Sequence, residues 1–331
     1  MSNLKDLGEF GLIDKIRRSV PKGKGVRLGI GDDAAWVDWR KESFLVTSDL
    51  LIEGFHFDLR WISFFGLGYK ALAVNLSDLA AMGGRPSYFL LSLGVPTFFK
   101  SDNMLQFLRG VKAASRQSGA TLVGGDTSAA DRFFINISLI GYAPYGPVLR
   151  SGARVGDDLY VTGTLGDSSL GLNLLKQPQR QVKKRAGISY LVGRHHYPAA
   201  RLRAGATLAR QKLAKAMIDI SDGLLQDLGH LCKASKVGAV VWENALPLSP
   251  AYRSFAGTKG ALYALTGGED YELLFSARAR ARARLEKIGP KLGVPVTRIG
   301  ACVPTAHGIR VLNKCGKTLT FPVSGYDHFR N

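Results

Sequence analysis

The sequence predicts an α/β protein of two domains, on three observations. At 331 residues the chain is about twice the length of a typical domain, and its 46% hydrophobic content is ample for two cores. Short apolar runs rich in β-branched and aromatic residues alternate with longer stretches of helical spacing in both halves. Residues 145–160, dense in glycine, separate the halves before a strand pattern resumes, so the domains are expected at 1–148 and 149–331.

In chain order, AAWVDWRKESF (34–44) reads as strand and turn, and FLVTSDL (44–50) as a strand. A helix at 67–84, a strand at 88–96 and a helix at 101–119 follow, the last with Ser101 or Asp102 placed to cap it. Strands at 120–126 and 132–143 complete the first half. The second half reads as strand 157–163, helix 167–176, a basic helical region to about 215, strand 216–223 and helix 223–235. Strands at 238–244 and 271–275, a helix at 279–292 and short strands close the chain. No run reaches the roughly 18 to 20 apolar residues of a spanning helix. Acids interrupt the first 20 residues where a signal peptide would be apolar, so a soluble, cytoplasmic protein is expected. Cys232, Cys302 and Cys315 are odd in number and have no C-x-x-C spacing, which predicts packed, reduced thiols rather than a disulfide frame or a zinc site.

The net charge of +19 is concentrated. No acid occurs from Ser168 to Ile218, and the basic stretch 174–216 lies within that span. The block ARARARAR (277–284) alternates strictly: on a strand its arginines share one side, and on a helix they form two stripes about 200° apart. An exposed helix is the favoured reading. Solvated surface with snorkelling stems is the expected role of both stretches, with a polyanion surface and attraction of substrate phosphates as alternatives. No zinc-finger, RNP-type or helix-turn-helix signature accompanies the charge, so nucleic acid is not the expected partner.

The acids gather where strands meet turns. Asp32 and Asp33 sit in GIGDDAAW (29–36), where adjacent carboxylates need water, a backbone cap or a cation. Asp49, Asp126, Asp219, Asp222, Glu269 and Asp270 hold comparable positions, and Asp78 shares a helix face with Asn75. Gly31, Gly124, Gly125, Gly223, Gly267 and Gly268 let the backbone come close beside them. Together these features describe an oxygen-rich site for hard divalent cations, with magnesium carrying substrate phosphates the best match. GIGDDA formally fits a dinucleotide fingerprint, and Asp49 lies 20 residues after Gly29. That motif would aim two carboxylates at a pyrophosphate, and the required helix does not follow. The GKT at 316–318 is no phosphate loop, because Val311 stands where the first glycine belongs.

An ordered series spans nearly the whole chain: GEFGLI, GIGDDAA, TSDLLIEGFHF, YKALAVNLSDLAAMGGRP, GGDTS, RSGARVGD, YVTGTLGDSSLGL, IDISDGLLQDLGHL, GGEDYELLF and GYDHF. It resembles the thiamine-monophosphate kinase family, in the superfamily that includes aminoimidazole ribonucleotide synthetase. The resemblance implies a mixed-sheet N-terminal domain that pairs in a homodimer, a C-terminal α/β domain, and ATP in the cleft between them. It implies several magnesium ions on Asp33, Thr47, Ser48, Asp49, Asp78, Asp126, Asp219 and Asp222, and ATP contacts from Gly125, Asp126, Arg150 and Ser221. Thiamine monophosphate is expected at His56 and Glu269, and at Val323, which stands where relatives carry an aromatic, with Phe321 two residues before it. Asp32 is then expected to cap its own turn. Asp49, Asp78, Asp126 and Asp222 form the expected metal clamp, and no general base is expected. Among siblings, a selenophosphate synthetase would want a reactive cysteine near the N-terminus, and none precedes Cys232. A polyanion-binding protein without kinase activity, or another enzyme of the superfamily, is the alternative.

Overall fold

The computed structural model describes residues 4–19, 25–39, 42–177, 187–257 and 260–321. The first half runs α1 (Leu4–Ser19), β1 (Val26–Leu28), β2 (Ala35–Trp39), β3 (Glu42–Ile52), α2 (Phe64–Ala81), β4 (Arg85–Val95), α3 (Ser101–Ser118), β5 (Thr121–Ala129) and β6 (Phe134–Tyr142). The second half opens with β7 (Asp157–Thr162), α4 (Asp167–Leu175), α5 (Ile188–His196), α6 (Leu202–Arg210), β8 (Ala216–Asp219), α7 (Leu224–Ser235) and β9 (Gly238–Trp242). It continues through α8 (Pro250–Phe255), α9 (Leu262–Thr266), β10 (Leu273–Arg278), α10 (Arg282–Leu292), β11 (Val296–Val303), β12 (Ile309–Leu312) and β13 (Thr318–Leu319).

The described strands form two mixed sheets, ordered β1-β2-β3-β6-β4-β5 and β13-β12-β9-β11-β7-β10-β8. The β4–β5 and β12–β9 pairs are parallel and the other pairs antiparallel, in keeping with the α/β expectation. Period-2 patterning fixes β3: Leu45, Thr47 and Leu51 point inward, while Val46, Ser48 and Leu50 are exposed.

Helix α2 is the centre of the molecule. Ser63 caps it by accepting the Gly66 N–H at 3.1 Å. Apolar on nearly all sides, it is buried along most of its length, as such a helix must be. One side joins the first-half core through Leu67, Leu72, Leu76 and Leu79. Its C-terminal end joins a different core through Ala80 and Ala81, which pack with Ala204 and Leu208 of α6 and with Met217 and Phe275 of the second sheet. The α2–α3 crossing is backbone-close: a Cβ at Gly68 would lie 2.0 Å from the Phe107 carbonyl oxygen, and one at Gly110 1.9 Å from that of Phe65.

Two local expectations are corrected. Lys100, not Ser101 or Asp102, is the N-cap of α3, and no side chain caps it; both expected residues fall in the first turn, where Asp102 instead meets the positive end of the helix dipole. The alternating arginine block is not one helix. Ala277 and Arg278 pair with Asp158 and Asp157 of β7, residues 279–281 form a 3₁₀ turn, and α10 starts at Arg282. Sheet pairing captures the first residues. The helix begins where Leu285, Ile288 and Leu292 supply a buried stripe.

Candidate active site

The GIGDDAAW turn resolves its two adjacent carboxylates differently. Asp32 accepts the backbone N–H of Asp33 at 3.1 Å and that of Arg150 at 3.0 Å, so it ties the turn to the segment between the sheets. Asp33 is buried and receives the Arg150 guanidinium in a two-bond fork, Nε to Oδ2 at 3.0 Å and Nη2 to Oδ1 at 3.1 Å.

Strand alternation and helical spacing bring further groups to Asp33. On β3, the Thr47 hydroxyl donates to Asp78 Oδ2 at 2.5 Å, and the Asp49 N–H donates to Asn75 Oδ1 at 3.2 Å. Asn75 and Asp78, one turn apart on α2, therefore face the same stretch of β3. The neighbouring face of α2 turns to the second half, where the Ser77 hydroxyl donates to Asp219 Oδ2 at 2.6 Å, at the end of β8. Asp33, Asp78 and Asp219 thereby each offer a carboxylate oxygen within 4.8 Å of one another.

Three carboxylates this close cannot all ionise cheaply. Burial is the largest influence on Asp78 and Asp219, and with nearby acids it pushes both well above the usual range. Burial also raises Asp49 to about 6 and, with the charge of Asp33, raises Asp32 to about 7. The donor set is all oxygen, carboxylate and hydroxyl, which fits a hard cation such as magnesium.

A second convergence links Asp222, Asp227 and His230. Asp227 spends Oδ2 on the N–H groups of Asp222 (3.1 Å) and Gly223 (3.0 Å), closing the entry to α7, and Gln226 donates to Asp222 Oδ2 at 3.0 Å. Sequence reasoning missed Asp227 and His230. They share a face with each other at i, i+3 and follow the glycine that opens the helix, a signal the sequence does contain.

Glu269 anchors the other side of the cleft, with its backbone at φ 65 and its N–H donated to the Ser221 carbonyl at 2.7 Å. Lys70 of α2, 1% exposed, brings its ammonium to 2.7 Å from Glu269 Oε1, and His195 Nδ1 lies 3.0 Å from Oε2. Burial opposes ionisation of Glu269, but the charges of Lys70 and His195 prevail and hold it far below the usual range. His195 is itself pushed down, first by burial and then by Lys70, with Glu269 opposing. Its Nδ1 also lies 3.1 Å from the Ser168 hydroxyl. Beneath it, the fully buried Glu272 takes Arg194 at 2.7 Å, Arg201 at 2.6 Å and the Thr162 hydroxyl at 2.7 Å. Asp270 accepts the Gly166 N–H at 2.5 Å and stays protonated up to about 8 because of burial. Lys70, His195 and Glu272 were not anticipated. A lysine inside the apolar run of α2 is the visible clue to the first.

The remaining expected residues lie apart from the three-carboxylate group. Ser48 is on the opposite face of β3, 3.0 Å from the Ser138 hydroxyl and accepting from Asn136 at 3.0 Å. Gly125 and Asp126 are exposed on β5, where Asp126 Oδ1 accepts the Thr127 N–H at 2.8 Å; a Cβ at Gly125 would lie 1.8 Å from the Leu91 carbonyl oxygen. His56 Nδ1 accepts the Ile52 N–H at 3.0 Å. Val323 lies outside the described residues, and Phe321 packs partly buried against the second-half core.

The family description "AIR synthase related protein, N-terminal domain" matches residues 31–143, and "AIR synthase related protein, C-terminal domain" matches 154–313. The chain is 42% identical over 330 residues to the thiamine-monophosphate kinase of Salmonella typhimurium, covering 97% of this chain and 98% of that protein. A solved structure, AaThiL complexed with AMPPCP and TMP, superposes with a TM-score of 0.86 at 36% identity, covering 99% of each chain. Thiamine-monophosphate kinase from Stenotrophomonas maltophilia K279a superposes with a TM-score of 0.77 at 38% identity, covering 94% of this chain and 98% of that one. The chain therefore belongs to the thiamine-monophosphate kinase family, built from the two AIR synthase related domains.

Proposed function

We propose that this chain transfers the γ-phosphoryl group of ATP to the phosphate of thiamine monophosphate, giving ADP and thiamine diphosphate. The observation that carries the reading is the meeting of Asp33, Asp78 and Asp219, drawn from both halves of the chain, within 4.8 Å. Full-length likeness to thiamine-monophosphate kinases, and to a chain solved with AMPPCP and TMP, supports the choice of substrates.

Asp33, Thr47, Asp49, Asp78 and Asp219 would hold magnesium, with Ser48, Asp126 and Asp222 as the further proposed ligands. Bound there, magnesium would neutralise the polyphosphate charge that two anionic substrates bring together. Gly125, Asp126, Arg150 and Ser221 are the proposed nucleotide contacts. His56 and Glu269 are the proposed acceptor contacts, with Val323 at the thiamine ring. Lys70 and His195 keep Glu269 anionic, suited to a cationic vitamin. No residue need act as a base, because a phosphate whose second pKa is about 6 offers a nucleophilic oxygen at neutral pH. That oxygen forms the new bond to the γ-phosphorus as the bond to the bridging oxygen breaks, its electron pair leaving with ADP. The side chains position and orient.

We assign the domains to 1–148 and 149–331 and the reaction to the cytoplasm. We also assign the working state to a homodimer, on the exposed apolar residues Val46, Leu50, Tyr88, Leu90, Leu122 and Val123 of the first sheet, whose β5 lies at an open edge. Incubation with γ-labelled ATP and thiamine monophosphate tests the reaction: the label should appear in thiamine diphosphate. Label found only in inorganic phosphate would refute it.

A further inference from the structure

The two basic stretches that the chemistry leaves unused meet in space. Lys212 and Lys215, in the turn from α6 to β8, and Arg278, Arg280 and Arg284, at the junction of β10 with α10, line one cavity of about 470 Å³. Gln211 also lines it, its Oε1 accepting from Arg284 Nη2 at 3.4 Å. No acid lines the cavity, and among the described residues none of the five cations is in an ion pair. The contrast with Arg282 is direct: it turns away and forks onto the buried Asp158, at 2.6 and 2.8 Å. The block thus divides between one arginine used in folding and three left facing a shared concavity.

Five uncompensated like charges around one cavity repel one another, and an anion bound among them would relieve that repulsion. The volume falls in the range of small-ligand sites, roughly 300–1,000 Å³, and no aromatic side chain lines the cavity to stack a base. The cavity adjoins the start of β8, whereas Asp219 ends that strand, so the two sites stand roughly 13 Å apart along it. We propose that this cavity is a second anion site, distinct from the catalytic cleft, that binds the di- or triphosphate group of a small molecule. Lys212, Arg280 and Arg284 grip the phosphates, and the binding needs no divalent cation.

Calorimetric titration of the full chain with inorganic tripolyphosphate, in EDTA and at low salt, tests this. EDTA separates the sites, because without a divalent cation the carboxylate cluster offers polyphosphate no metal to bind. About one equivalent should bind, and Lys212→Gln/Arg280→Gln/Arg284→Gln should weaken it about tenfold or more while kcat/KM for thiamine monophosphate stays within about threefold. ADP and thiamine diphosphate, added in separate arms, should displace the probe and show whether a nucleotide or the vitamin is the better source of the phosphates. Equal tripolyphosphate affinity in the triple variant and the native chain would overturn the proposal. So would tight binding of an RNA oligonucleotide that tripolyphosphate cannot displace, since the surface would then be a nucleic-acid groove.

Discussion

Asp219 and Asp78 illustrate how one residue serves function at the expense of stability. Asp219 is buried and Asp78 half-buried, each beside other acids and held well above the usual range, so each is costly to ionise without a cation. Asp219→Asn and Asp78→Asn should therefore lower single-turnover rates about 100-fold or more, since a charge clamp at the transferring group contributes several kcal/mol. In EDTA at pH 8 the same variants should melt no lower than the native chain, because the amide mimics the protonated acid. A melting temperature that falls sharply together with activity would point to lost packing instead. Lys70 makes the complementary case. In Lys70→Met, burial of Glu269 goes unopposed by the ammonium, so its protonation moves to higher pH. The KM for thiamine monophosphate should then rise as pH falls from 8 to 6, while that of the native chain stays flat; Lys70→Arg should restore the flat profile. The meeting of Asp33, Asp78 and Asp219 was foreshadowed because strand ends, glycines and helix faces are local signals. The Lys70–Glu269 pair was not: its partners stand at opposite ends of the sequence, and only packing of α2 against the second half joins them.

At the scale of elements, α2 and the β10–α10 junction show what patterning can and cannot announce. The apolar run of α2 announced a buried helix, and its ends fell within three residues of the expected 67–84. The arginine block announced only its own period. Pairing with β7 decided where strand gives way to helix, and a non-local ladder leaves no mark in the alternating sequence. The structure also separates arginines that the sequence makes equal. Arg282→Gln should lower the urea midpoint measurably, because Asp158 is 2% exposed and its other cation, Arg298, is 3.8 Å away. Arg280→Gln should stay within about 0.5 kcal/mol. Paired urea melts give the comparison, and equal effects would show that the Arg282 fork contributes nothing in solution.

For the whole molecule, the cleft carboxylates couple folding, pH and metal. Asp49 and Asp32, raised to about 6 and 7, together with Asp78 and Asp219, retain protons in the folded state that the unfolded chain releases above about pH 4. The folded state thus binds more protons, and this contribution to stability is lost as pH rises through those values. His196 and His230, pushed down to about 4 chiefly by burial, act in the opposite sense: their contribution is present above about 6.5 and lost as pH falls toward 4. A divalent cation replaces the carboxylate protons, so magnesium should raise the melting temperature more at pH 8 than at pH 6. Saturation to about 100 times Kd is worth about 2.7 kcal/mol. An equal rise at both values would mean that the metal binds without displacing protons.

The most direct measurement is mass spectrometry of the products when the purified chain meets ATP and thiamine monophosphate, with magnesium and with EDTA. The account predicts thiamine diphosphate and ADP in equal amounts with magnesium, and neither product in EDTA. ADP and inorganic phosphate beside unchanged thiamine monophosphate, or thiamine diphosphate formed at full rate in EDTA, would contradict it.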